Sequence, residues 1–132
     1  MKKIVLITGA NGMLAKALAS HLSNDYDIRF LSRGKSKPNE FFWDPSQNFI
    51  DPEALVGVHH IIHLAGATIG NKRWTNKRKN LILSSRVDGA NLIRKELSKN
   101  HQVIESFISI SGVGYYGTVT SNAKFDELSP KG

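Results

Sequence analysis

The stretch Lys3-Ile4-Val5-Leu6-Ile7-Thr8-Gly9-Ala10-Asn11-Gly12-Met13-Leu14-Ala15 decides how this chain folds. Residues 3 to 8 are a short, β-branched apolar run, which reads as a buried strand. Gly9 to Gly12 break it. From Met13 the spacing of Leu14, Ala17, Leu18 and Leu22 becomes helical, and a helix of about three turns follows. Strand, glycine turn and helix in that order place a G-x-x-G-x-x-A pattern where a phosphate-binding turn requires it. Gly9 permits a tight turn. Gly12 lets backbone approach a pyrophosphate, and Ala15 is small enough for helix and strand to pack closely. The free N–H groups and partial positive charge of the helix start favour phosphate.

Outward from that turn the chain alternates between the two periodicities. Ile28 to Ser32 reads as a second strand, and Arg33 to Asn39 as a polar loop. Phe41-Phe42-Trp43 suggests a short third strand, stopped by Asp44-Pro45. Asp51-Pro52-Glu53 has the form of a helix N-cap with proline at the first helical position. Val58 to Leu64 is another strand, ending at Ala65-Gly66. About Thr75 to Lys99 is a long amphipathic helix carrying Leu81, Ile82, Val87, Ala90, Ile93 and Leu97. Val103 to Ser111 is the next strand, followed by Gly112, Gly114 and Gly117 and a polar tail. Alternating strands and helices predict an α/β fold: a Rossmann-type, doubly wound parallel sheet with right-handed crossovers. The glycine turn after the first strand predicts the order 3-2-1-4 for the strands present.

The cofactor follows from the end of the second strand. NAD-preferring sites place a carboxylate about 20 residues past the glycines. Here that position holds Ser32-Arg33-Gly34-Lys35. Arg33 suits a 2′-phosphate and can stack on adenine, so NADP(H) is expected over NAD(H). The competing assignment makes Arg33 a loop cation.

Composition narrows the classes. The chain has 132 residues, 40% hydrophobic and 22% charged, which suits one globular domain. No apolar run approaches the ~18 residues of a membrane helix. The apolar run behind Met1-Lys2-Lys3 is too short for a signal peptide. Cysteine is absent, which excludes disulfides and thiolate chemistry and fits a cytoplasmic location. The formal charge of +7 favours anionic partners. Its densest cluster, Lys72-Arg73-Trp74-Thr75-Asn76-Lys77-Arg78-Lys79, reads first as a solvated helix start. A phosphate of cofactor or substrate is the second choice and nucleic acid the third. His59, His60 and His63 share one strand; alternation sets His60 opposite the other two, which disfavours zinc.

With these pieces placed, the chain resembles the extended short-chain dehydrogenase/reductase superfamily, in its epimerase-like branch. The resemblance rests on TGANGMLA at 8–15, LSR at 31–33, WDP at 43–45 and HLAGATIGNKRW at 63–74. SSRVDGANLI at 84–93, SISGVGYYG at 109–117 and DELSP at 126–130 complete it. It spans essentially the whole chain but about the N-terminal half of the family's length. It implies that Gly9, Asn11, Gly12, Met13 and Leu14 line the pyrophosphate loop. Ser32 and Arg33 hold the 2′-phosphate, and Leu64, Ala65 and Gly66 run along the cofactor. Arg86 either faces the cofactor or makes a helix-surface salt bridge. Trp74 fixes its loop in preference to touching substrate. Ser111 is the candidate catalytic hydroxyl at a strand's C-terminal end, with Ser109 its competitor.

The superfamily's catalytic Tyr-x-x-x-Lys does not occur in these residues, and Tyr115 and Tyr116 read as loop and pocket wall. The expectation is therefore a truncated Rossmann domain over 1–132 that lacks the substrate-binding part, binds a dinucleotide weakly or not at all and is inactive alone. The whole protein would be an NADP-dependent epimerase or oxidoreductase acting on a carbinol carbon, with a sugar nucleotide as the family-level substrate. A non-catalytic binding or sensing module is the alternative. An uncovered sheet face would favour a homodimer.

Overall fold

The structure is a computed structural model and describes residues 1–34, 36–118 and 120–132. In chain order it comprises β1 (Lys3–Thr8), α1 (Met13–Leu22), β2 (Tyr26–Ser32), β3 (Glu40–Asp44), β4 (Phe49–Ile50), β5 (Val58–His63), α2 (Asn76–Lys99) and β6 (Ser106–Ser109). Short 3-10 turns lie at Pro45–Gln47, Pro52–Ala54 and Val113–Tyr116. They form one six-stranded sheet in the order β4-β3-β2-β1-β5-β6. All neighbours run parallel except β3 and β4, an antiparallel hairpin at one edge. The order expected from the glycine turn is present, with β4 and β6 added outside it.

Alternation along the strands feeds two cores. Leu6, Leu31, Trp43 and Ile61 face α2 and pack with Leu92, Ile93 and Leu97. Val5, Ile7, Phe30 and Ile62 face α1 and meet Ala15, with Leu18, Ala19 and Leu22 at the margin. A strand buried on both faces needs a continuous apolar run, which Ile4 to Ile7 supplies.

Several elements differ from the sequence expectation, each for a local reason. The stripe that α1 buries is Ala15, Leu18, Ala19 and Leu22, while Leu14 is half-exposed and Ala17 exposed. Spacing of three, one and three residues puts that set on one face, and Leu14 lies beside it. The N-cap signal at Asp51 is real, since its carboxylate accepts from Glu53 N–H at 3.0 Å. It caps a single 3-10 turn and no helix, because Gly57 at φ +70° turns the chain into β5. The strand expected from Val103 to Ser111 is only Ser106–Ser109, so Ser111 lies beyond it. On α2, Leu81 and Val87 are exposed, and Gly89 and Leu92 are buried instead. The first turns of α2 cover the loop after β5, and only its second half reaches the core.

Register between β1 and β5 slips once: Ile4 pairs with Val58 but Val5 with His60. His59 is the extra residue, and its Nδ1 accepts from Ile4 N–H at 3.1 Å. The slip sets Val58 and Ile61 in the same core despite their odd spacing. At the β6 edge Phe107, Ile108 and Ile110 are exposed. An apolar groove of about 760 Å3, lined by Ala90, Leu97, Val103, Ile104 and Phe107, lies between β6 and the C-terminal half of α2. It is at the far end of α2 from the glycine loop. Among the described residues no helix is long and apolar enough to cross a membrane.

Candidate functional site

All five parallel strands deliver their C-terminal ends to one sheet edge, where ligands of this fold class bind. The β1 end is built around Gly9. Its φ is +81°, and a Cβ there would sit 3.3 Å from both Cα and N of Ala65. Glycine is thus required twice, by backbone conformation and by the close passage of the chain leaving β5. Gly9 N–H donates to Leu31 O at 3.3 Å, and Gly9 O accepts from Gly12 N–H at 2.8 Å. Gly12 is the N-cap of α1, makes no side-chain cap bond, and is followed by no acidic residue in the first turn. The first intrahelical bond is Lys16 N–H to Gly12 O at 3.1 Å. The amides of Met13, Leu14 and Ala15 therefore have no acceptor within the helix. Asn11, Gly12, Met13 and Leu14 are all exposed at this opening. The arrangement fits a dinucleotide pyrophosphate: uncapped amides, a positive helix end and no Cβ at Gly9 or Gly12.

Behind the glycine loop lies a buried network that the sequence reading missed. Thr8, with no exposed surface, accepts through Oγ1 from Leu64 N–H at 3.0 Å and Ala65 N–H at 2.9 Å. The same hydroxyl is 3.0 Å from His63 Nδ1, and His63 Nε2 is 3.0 Å from Arg86 O. A carbonyl only accepts, so Nε2 carries the proton. Nδ1 is then the acceptor, and Thr8 donates its one hydroxyl proton to it. Burial holds the His63 pKa below its ordinary value and outweighs the carbonyl of Arg86, which acts the other way; the Arg86 charge lowers it further. In sequence Thr8 reads as the end of a strand and the first residue of TGANGMLA, and neither pattern names the partners its hydroxyl finds at residues 63–65. The three histidines separate as partners dictate: His59 to Ile4 N–H, His60 to Ser106 Oγ and His63 to Thr8.

The rim at β2 carries Ser32 and Arg33. Ser32 is buried, donates to Gly34 O at 2.6 Å and accepts from Gly34 N–H at 3.3 Å. Its hydroxyl is therefore occupied in shaping the loop. Arg33 is exposed and, among the described residues, makes no hydrogen bond or ion pair. Ser36 closes the loop by donating N–H and hydroxyl to Glu40 at 2.8 and 2.9 Å, which hold that carboxyl below its ordinary range. A carboxylate the sequence did not place here comes from β3. Asp44 is held low mainly by the Ser46 hydroxyl, with a small contribution from the Arg33 charge. Lys35 lies outside the described residues.

The loop after β5 is clamped by α2. Arg86 Nη1 donates to Ala67 O at 3.2 Å and Ile82 O at 3.0 Å, and its Cζ lies 2.7 Å from where a Gly66 Cβ would be. Ala67 N–H donates to Ser85 Oγ at 2.9 Å. Arg78 donates to Thr68 O and to Asn71 Oδ1, the latter at 2.9 Å. Trp74 Nε1 donates to Ile69 O at 2.9 Å, so its indole is tied to its own loop. Among the described residues the Arg86 guanidinium meets backbone carbonyls and no carboxylate. Gly89 admits the helix to the sheet, since a Cβ there would meet Trp43 Cη2 at 2.9 Å and His63 Cε1 at 3.0 Å. WDP and SSRVDG are thus linked through Trp43 and Gly89.

Ser111 is exposed, two residues past β6, at the same sheet edge. Ser109 pairs in register with His63, one step deeper. Tyr116 donates to Asp126 O at 3.0 Å and stacks on Phe125, a loop-wall position.

Fold and site together define a doubly wound α/β protein with a dinucleotide-type crevice. Residues 5–132 match the NAD dependent epimerase/dehydratase family, and the chain belongs to it. It is 30% identical over 118 residues to an epimerase family protein of Mycobacterium leprae, covering 88% of this chain and 38% of that one. Among solved structures it is similar to the human epimerase family protein SDR39U1 crystallised with NADPH: TM-score 0.77, 27% identity, 97% of this chain and 42% of that one. It is also similar to a nucleoside-diphosphate sugar epimerase from Corynebacterium glutamicum, with TM-score 0.78 and 28% identity over 100% of this chain and 27% of that one. The chain spans about two fifths of the length of the curated relatives it matches.

Proposed function

We propose that this chain is the dinucleotide-binding part of an epimerase-like protein and takes NADP(H) in preference to NAD(H). The observation that carries this is the pairing of Gly9, pressed against Ala65, with the uncapped start of α1. Gly9, Asn11, Gly12, Met13 and Leu14 receive the pyrophosphate. Arg33 pairs with the 2′-phosphate, on a loop that Ser32 shapes from within. Leu64, Ala65 and Gly66 form the wall along the cofactor, and Arg86 acts by holding that wall in place. The NADPH in the human relative supports the phosphate preference.

A nicotinamide group bound here supplies hydride exchange at a carbinol or carbonyl carbon. Ser111 stands at the mouth of the crevice, where its hydroxyl can donate to the substrate oxygen and stabilise negative charge developing there. The whole protein is then an oxidoreductase or epimerase, and a sugar nucleotide is the substrate class to try first. The test is calorimetric titration of the chain with NADPH and NADH. Saturable binding at least tenfold tighter for NADPH is expected. Equal affinities would remove the role of Arg33, and absence of binding by both would remove the dinucleotide reading.

A further inference from the structure

We propose that Thr8 and His63 are positioning residues of the dinucleotide site, setting the distance between the glycine loop and the wall at Leu64–Ala65. This rests on the dinucleotide reading above. The Thr8 hydroxyl is fully used: both lone pairs take the amides of Leu64 and Ala65, and its proton goes to His63 Nδ1. His63 is in turn fixed by Arg86 O, while the Arg86 side chain crosses Gly66 to reach Ala67 O. The circuit closes on itself and pins two successive amides of the chain that passes 3.3 Å from the Gly9 Cβ position. A wall held this way needs no reordering when the crevice fills, which favours affinity.

The circuit also requires neutral His63. A protonated ring would aim Nδ1–H at a hydroxyl with no lone pair left, so the hydroxyl must release Leu64 or Ala65. Among the described residues, the groups packed against His63 are Thr8 on β1, Trp43 on β3, Phe107 on β6, and Gly89 and Arg86 on α2. Of these only Arg86 is charged, and its positive charge opposes a second one nearby. Dinucleotide affinity should therefore fall with acid in a way that depends on His63.

The experiment is fluorescence titration of NADPH into the full chain and its Thr8→Val, Thr8→Ser and His63→Gln variants, from pH 7.5 to 5.5, with circular dichroism confirming the fold. Thr8→Val should bind at least tenfold more weakly at pH 7.5, and Thr8→Ser, which restores the hydroxyl, within about threefold of wild type. The 2′-phosphate itself titrates near pH 6, so the readout is the difference between slopes. Wild type should lose affinity more steeply than His63→Gln. If Thr8→Val does not fold, that slope difference decides. Wild-type affinity in Thr8→Val, or equal slopes in wild type and His63→Gln, would overturn the positioning role and leave dinucleotide binding standing. No binding by folded wild type would overturn both.

Discussion

Replacing Gly9 by alanine tests the physical core of the site. The residue holds φ at +81°, where an L side chain costs about 1–2 kcal/mol. The new methyl would also lie 3.3 Å from Cα and N of Ala65. Those are backbone atoms, and Ala65 N–H is already tied to Thr8, so the neighbour cannot swing aside as a side-chain tip could. Displacing a packed segment by a few tenths of an ångström costs about 1–3 kcal/mol. The stiffer unfolded chain returns at most about 1 kcal/mol. The net loss is about 1–4 kcal/mol. For a chain of this size each kcal/mol moves Tm by about 4 °C, so thermal melts should shift down by about 4–16 °C. Gly34→Ala is the control: nothing lies within 4 Å of its Cβ position, and its melt should move by about 2 °C or less. Gly9→Ala melting within about 2 °C of wild type would refute the claim that conformation and contact both demand glycine there.

Gly89→Ala sets two effects against each other: about 1 kcal/mol gained in helix propensity and about 1–3 kcal/mol lost by driving a methyl into Trp43 and His63. Urea denaturation should show a net loss, and a gain would mean the helix is not seated as described. His63 titrates below its ordinary 6.5 in the fold, so its contribution is complete above that pH. The unfolded chain gains a proton first on acidification, and stability falls as pH drops from about 6.5 through the folded value. Glu40, Asp44 and Glu105, the last accepting from Lys3 Nζ at 2.7 Å, are also held low and add a separate loss below about pH 4.5. His63→Gln should abolish the first phase in pH-dependent melts and spare the second. Arg33→Gln should cut the NADPH-to-NADH affinity ratio about tenfold, roughly one charge-assisted hydrogen bond; an unchanged ratio would make Arg33 a loop cation.

The legible parts of this fold are those where one short pattern carries the information. Lys3–Thr8 followed by Gly9 and Gly12 has a single sensible structure, and the order of the inner strands follows from it. Thr75 and Lys99 bound the long helix closely, because the cap is local: Thr75 Oγ1 accepts from Arg78 N–H at 3.1 Å. What escaped depends on partners far along the chain. The role of Gly89 exists only because Trp43 and His63 converge on it, and Thr8 matters through amides 56 and 57 residues away. The two-residue β4 is stabilised by pairing with Trp43 and Asp44, which no pattern in Phe49-Ile50 announces. The sequence leaves Arg86 between two roles because periodicity places a helix residue on a face but does not say which carbonyl lies opposite. Its bonds to Ala67 and Ile82 settle where the guanidinium goes.

The most direct measurement is amide chemical-shift mapping of the isotope-labelled chain during titration with NADPH. The largest perturbations should fall on Gly9, Asn11, Gly12, Met13 and Leu14, with Ser32, Arg33 and Leu64 to Gly66 following at the same midpoint. Perturbations confined to residues 72–79, or a saturating titration that leaves Gly9 to Leu14 unmoved, would contradict a dinucleotide site at the head of α1.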